Sequence, residues 1–396
     1  MTRAPWVDVV VVGGRAAGSA TALLLARAGA RVVVVERDRP GTDTLSTHAL
    51  MRGAVAQLAR WGLLDEVRAA GTPAISQTVF HYPADTVPVA IKPGAGVDAL
   101  YAPRRTVLDP ILAAAGVRAG ADLRYRTAVV GLELHRGRVR GVRVLERGTG
   151  LRYPIRASLV IGADGRRSTV ARLTGAPTTY RARHTSAFSY CYVAGLPAVG
   201  YEWAYGDGTA GFIPTNDGLT CVFAGHRPDR VGRGGPEVLR RLVAAASPAL
   251  GQRLALAEPA SPVRTFTGLP GFLRRPWGPG WALVGDAGSW KDPISAHGLT
   301  DALRDAELLA RAALAELDGG APAAGYRGYE RERDRFTVPI LRDADEIAAM
   351  DWDGERVAAL LRQLNLAMNE ELLSIAGLDD AVVRGPAGSL ATGTGG

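Results

Sequence analysis

The chain contains little cysteine: only Cys191 and Cys221 among 396 residues. Two cysteines are too few for the disulfide framework that holds many small secreted domains, so that class is excluded. Thirty positions separate them, which is not the spacing of a metal-binding pair. We predict two free thiols in the core of a cytoplasmic protein and no metal site.

Long hydrophobic runs are also missing. Although 47% of the residues are hydrophobic, the apolar runs near the N-terminus are about as long as one β-strand. A membrane-spanning helix needs about 20 predominantly apolar residues. We therefore expect neither a signal peptide nor stable membrane insertion. The length of 396 residues is enough for two domains, each with its own core.

Lysine is nearly absent, since only Lys92 and Lys291 occur in a chain whose net charge is +8. Arginine supplies almost all of the positive charge and is scattered among alanine and glycine. Arms that bind nucleic acid are usually dense basic runs. The densest run here, "RERDRF" from Arg331, is interleaved with acids, so we exclude nucleic acid as a partner.

The chain does contain three strand–turn–helix segments, the first at the N-terminus. "VDVVVVGG" predicts a strand buried on both faces of a parallel sheet, and "GSATALLLARAG" predicts the helix that follows. In the fingerprint G-x-G-x-x-G, backbone N–H groups face a pyrophosphate. Gly13 and Gly18 match it, but Arg15 replaces the middle glycine. Glu36 follows the second strand, where an acid binds ribose hydroxyls. Any βαβ unit with a glycine-rich turn is the alternative interpretation.

Two later segments also place an acid at the end of a buried strand. "VIGADGRRSTVAR" places Asp164 at the edge where ligands of open α/β sheets bind, although Asp-Gly is also an ordinary turn. "WALVGDAGSWKDPISAHGLT" places Asp286 after a strand and predicts a helix that begins at Gly298 and Leu299. This second helix start offers free N–H groups and a positive dipole end, which suits a ring system that becomes anionic on reduction.

Several motifs together resemble a known family. "GGRAAGSATA", "DTLSTHALMRG", "APRRTVLD", "IPTNDGLTCV" and "GDAGSWKDPISAHGLTDALRDAE" are similar to FAD-dependent monooxygenases of the para-hydroxybenzoate hydroxylase type, in a bacterial FAD-dependent oxidoreductase branch. The resemblance extends from Val7 to about Leu373. It implies an α/β fold, with a glutathione-reductase-like FAD-binding Rossmann domain, an inserted antiparallel-sheet substrate domain and C-terminal helices. The implied cofactors are FAD, with NADPH or NADH as electron donor.

The resemblance also implies a set of FAD contacts. They are Gly13, Gly14, Arg15, Ala16, Ala17 and Gly18 at the pyrophosphate, Glu36 at the adenosine ribose, Val129 or Val130 beside the adenine, Arg105 at the phosphate and ribityl region, Asp286 at the ribityl chain, and Pro293, Gly298 and Leu299 along the isoalloxazine edge. Asp164 matches an Asp-Gly motif linked to both FAD and NAD(P)H, and Arg37, Ser46, Thr47 and Gly285 are further expected FAD contacts. Arg15 departs from the family, which normally has glycine there, and this leaves the detail of phosphate contact open.

The domain organisation follows from changes in pattern along the chain. The predicted FAD-binding domain is discontinuous (1–73, 101–178 and 265–330), the substrate-binding sheet is 74–100 and 179–264, C-terminal helices occupy 331–384 and a flexible tail 385–396. In the sheet, short aromatic strands such as "TSAFSYCYVAG" and "YEWAY" predict the roof of a substrate pocket. The candidate lining is Tyr190, Tyr192, Trp203, Tyr205, Phe212 and Phe223, of which strand alternation lets about half face the pocket.

His48 and His297 are the candidate catalytic residues, because the resemblance places both beside the flavin and histidine titrates near neutral pH. Either is a candidate base for a phenolic substrate. The alternative for each is a loop histidine that caps backbone groups.

The leading prediction is an NAD(P)H-dependent monooxygenase in which O2 adds to FAD as a C4a-hydroperoxide and hydroxylates or epoxidises a small electron-rich substrate, such as a secondary-metabolite phenol or polyene. The alternative is an FAD-dependent reductase of C=C bonds, as in prenyl reductases of this fold. A halogenase is disfavoured because W-x-W-x-I-P is absent. A non-catalytic flavin-binding protein is a third class. The sequence leaves the oligomeric state open.

Overall fold

The computed structural model of the chain describes residues 6–320 and 322–384, so the predicted tail lies outside the described residues. The strands in chain order are β1 (Trp6–Val12), β2 (Val32–Val35), β3 (Gln77–His81), β4 (Thr86–Ala90), β5 (Asp122–Arg124), β6 (Thr127–His135), β7 (Arg138–Glu146), β8 (Arg152–Gly162), β9 (Thr178–Arg181), β10 (Ala187–Ala194), β11 (Tyr201–Gly206), β12 (Gly208–Pro214), β13 (Thr220–His226), β14 (Glu258–Pro259), β15 (Arg264–Phe266), β16 (Phe272–Arg274), β17 (Trp277–Gly278), β18 (Trp281–Leu283) and β19 (Ser289–Trp290).

The helices in chain order are α1 (Ala16–Arg27), α2 (Arg52–Arg60), α3 (Leu64–Ala69), α4 (Arg105–Arg118), α5 (Thr169–Thr174), α6 (Pro228–Val231), α7 (Pro236–Ala246), α8 (Pro248–Ala255), α9 (Gly298–Leu317), α10 (Pro322–Ala348), α11 (Gly354–Ala376) and α12 (Ala381–Arg384). Short 3₁₀ turns lie at Asn216–Gly218, Gly285–Ala287 and Pro293–Ser295. Among the described helices, none is both long and apolar enough to cross a membrane.

The first sheet is built on parallel strands in the order β17-β18-β8-β1-β2-β5. The pairs β18–β8, β8–β1, β1–β2 and β2–β5 are parallel, and the hairpin β6–β7 joins β8 on its antiparallel side. Along β1, Val9 and Val11 pack into one core cluster while Val10 and Val12 pack into another. Both faces are thus covered, which explains why β1 and β2 are unbroken runs of valine.

The second sheet has the order β14-β10-β13-β12-β11-β3-β4, with β15 paired to β10. Its pairs are antiparallel except β3–β11, which is parallel. One face carries aromatic rings that belong to the core cluster shared with α1 and α9. The opposite face packs against α7 and α8 through a separate cluster of smaller residues. The sheet therefore has one face turned toward the first sheet's helices and one covered by its own.

The third sheet has three short strands in the order β19-β16-β9. The C-terminal part is helical, with α10 packed on both α9 and α11. This arrangement confirms the predicted α/β class with an added antiparallel sheet and C-terminal helices, while the predicted domain boundaries stay a prediction. Cys191 and Cys221 are free and buried, and burial raises the pKa of the Cys191 thiol to about 11.

Candidate active site

The turn between β1 and α1 has no room for side chains at its glycines. Gly13 has φ +104°, and a Cβ there would lie 2.5 Å from the carbonyl oxygen of Ala163. A Cβ on Gly18 would lie 1.8 Å from the carbonyl oxygen of Gly13. The helix α1 that follows has no side-chain cap at its start. Its first N–H groups are therefore available to an anionic ligand.

The three predicted motifs meet at this turn. Ala163, which precedes Asp164, contacts Gly13 as described. Gly285 has φ +57°, and a Cβ there would lie 3.1 Å from the Cβ of Ala17 in α1. The carboxyl ends of β1, β8 and β18 therefore lie together, as expected of neighbouring parallel strands at a ligand-binding sheet edge.

A cavity of about 30 Å³, called the turn cavity below, lies beside the first turn. Its charged lining residues are Arg15, Glu36, Asp38, Arg39, Arg105 and Asp109. The Glu36 carboxylate accepts hydrogen bonds from the N–H groups of Gly14 (2.7 Å) and Asp38 (2.9 Å). A carboxylate offers about four acceptor positions, so Glu36 can still accept from hydroxyl groups of a ligand.

Arg15 turns its side chain from the glycine turn toward the acids of the turn cavity. Its guanidinium donates to Asp38 Oδ2 (3.3 Å) and to the Thr42 carbonyl (3.1 Å), and lies 3.6 Å from Asp109 Oδ2. Asp109 also accepts two hydrogen bonds from Arg105, one helical turn earlier, both at 3.0 Å. One carboxylate thus holds two guanidinium groups beside the N–H groups of the turn, an arrangement suited to phosphate.

Asp286 lies against the start of α9. A Cβ on Gly298 would lie 4.0 Å from Asp286 Oδ1, and α9 has no side-chain cap. Burial raises the pKa of Asp286 to about 6, opposed by the positive charges of Arg166 and Arg105 at longer range. A carboxyl group whose shift owes nothing to protein hydrogen bonds has acceptor capacity left for the hydroxyl groups of a ligand.

A second cavity, about 80 Å³ and called the aromatic cavity below, lies between the second sheet and the loops of the first. Its aromatic lining is Phe188, Tyr190, Trp203, Tyr205, Phe223, Phe266 and Trp290. Alternate residues of β10 and β11 supply four of these rings, because side chains two apart share a face. The loop 45–47, with Pro293 and Ile294, forms the facing wall.

Comparison with known proteins gives the ligand for this arrangement. A family model described as an FAD binding domain matches residues 6–344. The chain belongs to this FAD-binding family. It is a flavoprotein of the para-hydroxybenzoate hydroxylase type and an FAD-dependent oxidoreductase, as the sequence motifs predicted.

Two curated relatives of this flavoprotein are named for different activities. It is 29% identical over 321 residues to digeranylgeranylglycerophospholipid reductase 1 of Methanococcoides burtonii, covering 78% of this chain and 74% of the relative. It is 30% identical over 311 residues to 6-methylpretetramide 4-monooxygenase of Streptomyces rimosus, covering 76% and 73%. The solved flavin-dependent brominase Bmp2 shares the fold, with a TM-score of 0.78, 17% identity and 94% coverage of both chains.

The residues present fit FAD. The glycine turn leaves backbone N–H groups beside two arginines for the pyrophosphate, and Glu36 has acceptor capacity for the ribose. Asp286 lies against the uncapped start of α9 and directly follows Gly285, which approaches Ala17 of α1. The site therefore offers one helix N-terminus and one acid to each half of a dinucleotide: α1 with Glu36, and α9 with Asp286.

Several predicted FAD contacts lie in these two cavities and others do not. Ser46, Thr47 and Pro293 line the aromatic cavity. The Arg37 side chain is largely exposed, and its Nε lies 3.9 Å from Asp38 Oδ2. Neither Val129 nor Val130 lines the turn cavity, whose wall in that region is Tyr125. The adenine contact assigned to the valines stays a prediction.

Asp164 holds a helix in this structure. Its carboxylate accepts from the N–H groups of Thr169 (2.6 Å) and Val170 (3.3 Å) and from the Ser168 hydroxyl (2.5 Å). Burial nevertheless raises the pKa of Asp164. The residue fixes the turn after β8 and so positions Ala163 against Gly13; a direct cofactor contact stays a prediction.

The two candidate catalytic histidines do not line the aromatic cavity. His48 is buried, and its Nε2 lies 3.0 Å from the hydroxyl of Tyr192, whose ring stacks on it. Burial, with help from Arg105 and Arg104, lowers the pKa of His48 to about 3, so it is neutral at pH 7.

His297 also lies outside the lining of the aromatic cavity. As the residue before α9, it places its Nε2 2.5 Å from Glu371 Oε2, inside a buried network with Lys291, Asp301 and Arg304. His297, Asp301 and Glu371 lie close enough to suggest a metal site, but Lys291 and Arg304 already neutralise the two acids. The network therefore fixes the N-terminal part of α9 in place.

The predicted pocket lining also needs two changes. Tyr190, Trp203, Tyr205 and Phe223 line the aromatic cavity, whereas Tyr192 covers His48 instead. Phe212 faces the opposite side of the sheet, where it is fully buried in the cluster beneath α7. It pairs with Glu202, so alternation puts it on the face that Trp203 does not share.

Seven lining residues of the aromatic cavity were not predicted from the sequence: Leu45, Arg166, Phe188, Thr209, Phe266, Trp290 and Ile294. Phe188 was detectable, since it lies two positions before Tyr190 on the same strand. Phe266 comes from β15, which pairs with β10 in the second sheet, and Trp290 comes from β19 in the third sheet, so only the fold brings these two rings to the cavity. Arg166, from the Asp-Gly motif, had no signal that set it apart from the many other arginines.

Proposed function

We propose that this flavoprotein is a cytoplasmic monooxygenase that uses NADPH or NADH and O2 to oxygenate a small, electron-rich aromatic substrate. The observation that carries the proposal is the aromatic cavity beside Pro293 and the start of α9. Half of its fourteen lining residues are aromatic, and none is an acid, a histidine or a cysteine. Such a wall holds a flat ring and offers no strong nucleophile or carboxylate base of its own.

The rings of the cavity are arranged for contact with another ring. The centroids of Trp203 and Phe223 are 5.2 Å apart at 57°, and those of Phe188 and Phe223 are 6.2 Å apart at 51°. Tilted pairs at this spacing are favourable, and a substrate ring can extend the same pattern. A prenyl chain would gain less from these walls than a planar substrate does.

FAD, when bound, supplies the redox and oxygen chemistry, and the residues of the chain orient it and shape its surroundings. The free N–H groups at the start of α9 stabilise negative charge, since a helix N-terminus is equivalent to roughly half a positive charge. Asp286 would accept hydrogen bonds from hydroxyl groups of the ribityl chain. The aromatic rings exclude water from the reacting centre.

The Tyr190 hydroxyl connects two walls of the aromatic cavity. The Tyr190 hydroxyl donates to the Thr44 carbonyl (3.3 Å) and accepts from the Ser46 N–H (3.3 Å), which ties the sheet to the loop 45–47. Burial raises the pKa of Tyr190, so its hydroxyl remains a neutral hydrogen-bonding group at pH 7.

The proposed electron donor is a nicotinamide dinucleotide. The sequence repeats G-x-G-x-x-G at residues 206–211, but these residues form the hairpin between the antiparallel strands β11 and β12 and precede no helix. A nicotinamide would therefore bind transiently beside the flavin and not in a Rossmann domain of its own. A net charge of +8 favours the approach of its phosphates. Which of NADH and NADPH is preferred is a matter for steady-state comparison.

The test is isotopic. The holoprotein, NADPH and a panel of phenols are incubated under ¹⁸O₂, and products are analysed by mass spectrometry. One ¹⁸O atom in the product supports the proposal, and parallel samples in H₂¹⁸O under ordinary oxygen should show none. A product heavier by two hydrogens, formed from an isoprenoid substrate and without oxygen, would instead support the reductase activity that the name of the Methanococcoides relative records.

A further inference from the structure

Arg166 stands out among the lining residues of the aromatic cavity. It lies just after Asp-Gly at the end of β8, and its guanidinium carbon lies 5.4 Å from the ring centroid of Phe266 and 5.3 Å from that of Trp290. It is the one formally charged residue among the fourteen that line the cavity. The site therefore has a positive charge against aromatic walls.

The guanidinium of Arg166 has no hydrogen-bond or ion-pair partner among the described residues. No carboxylate lies within 4.0 Å of it, in contrast to Arg15 and Arg105 in the turn cavity, which share Asp109. Asp286 attracts Arg166 from farther away, and burial lowers the pKa of Arg166. Arg166 is half-buried, and the five N–H donors of its guanidinium make no hydrogen bond within the described part of the chain, so they are available to a ligand.

The packing indicates which part of Arg166 is open. Aromatic rings interact with the flat faces of a guanidinium, whereas its N–H groups point outward in its plane. Phe266 and Trp290 hold the group in place, and the edge remains for a ligand. A planar fork of N–H donors matches an oxyanion and gains most from a carboxylate or a phenolate.

We propose that Arg166 selects an anionic aromatic substrate, a ring that carries a carboxylate or an ionised phenol. The inference rests on the proposed function only in taking the aromatic cavity as the substrate site. The lining contains no acid and no histidine that could act as a general base. Arg166 therefore favours a substrate that is already ionised and needs no base. Its charge also draws the ionised group to one end of the cavity, which fixes the orientation of the ring.

The test measures binding without turnover. The oxidised holoprotein is titrated with 2-naphthoate and with 2-naphthamide, which share ring and shape but differ in charge, and the flavin absorbance reports binding. We expect the wild type to prefer naphthoate by about ten- to a hundredfold, as charge-assisted hydrogen bonds allow. Arg166→Gln should abolish the preference, and Arg166→Lys should keep part of it.

Arg167→Gln is the matched control. Arg167 is the exposed neighbour, so this variant removes the same charge without touching the cavity, and it should retain the naphthoate preference. Equal affinities in the wild type, or a preference that survives Arg166→Gln, would overturn the proposal. So would a variant that loses affinity for FAD or NADPH and not for naphthoate, since Arg166 would then serve a cofactor.

Failure of the proposed function gives a different result. If the protein reduces C=C bonds, no ¹⁸O enters a product, yet the preference for naphthoate still reports whether Arg166 selects an anion. The two proposals therefore stand or fall on separate measurements.

Discussion

Replacing Asp286 with asparagine should stabilise the protein without FAD and weaken its hold on FAD. The pKa of Asp286 is raised by burial to about 6, from an ordinary value of 3.8. The folded chain therefore retains a proton that the unfolded chain releases between about pH 4 and 6. Stability from this group is fully present below that window and is lost as the pH rises through it.

The magnitude follows from the shift. Two pKa units correspond to about 3 kcal/mol, and to about 2 kcal/mol once partial solvent access is allowed for. The neutral amide has no such penalty, so the Asp286→Asn apoprotein should be more stable than wild type by about 2 kcal/mol at pH 8. At about pH 5 the advantage should fall to about half, since much of the proton release has yet to occur.

The assay is urea unfolding of the apoproteins at pH 5 and pH 8. The pKa of Asp292 is also raised to about 6 by burial, but its contribution is common to both proteins and cancels in the difference. Asp65→Asn, at a side chain that is 91% exposed, is the control and should change little. FAD titration of Asp286→Asn should give a dissociation constant about tenfold higher than that of the wild type. An Asp286→Asn apoprotein no more stable than wild type at pH 8, or equally stabilised at both pH values, would refute this reasoning.

Three further variants test other parts of the site. Gly18→Ala should raise the FAD dissociation constant at least a hundredfold in fluorescence titration while the circular dichroism stays α/β, because its Cβ would meet a backbone oxygen at 1.8 Å; unchanged affinity would contradict the turn geometry. Arg15→Gly should weaken FAD binding about tenfold and reduce its dependence on salt, whereas Arg136→Gly, at an exposed turn with φ +49°, should do neither. Glu371→Gln should lower the free energy of unfolding by about 3 kcal/mol, since it leaves the buried Arg304 short of a partner; a neutral result in urea would mean that the network does not brace α9.

The parts of the fold that the sequence predicted are those set by short-range pattern. The glycine turn before α1 and the start of α9 at Gly298 depend on residues within a few positions of each other. The valine runs of β1 and β2, which are buried on both faces of the first sheet, also depend only on neighbouring residues. The family motifs then supplied the order of these elements and the cofactor.

The parts that the sequence did not predict depend on contacts across long stretches of chain. His297 lies outside the aromatic cavity because its Nε2 contacts the carboxylate of Glu371, 74 positions later. Phe212 faces away because of its register with Glu202, which alternation alone does not set. Arg166 differs from Arg15 and Arg105 in making no ion pair with any described acid, and this depends on where the fold places the acids.

The most direct measurement of the central claim is the reaction of the reduced holoprotein with oxygen. Holoprotein reduced anaerobically with NADPH is mixed with O2 in a stopped-flow spectrometer, with and without a bound phenol. The account predicts rapid reoxidation through a transient absorbance distinct from both the reduced and the oxidised flavin, followed by hydroxylated phenol. Slow reoxidation in one step, with no transient and no oxygenated product, would contradict it.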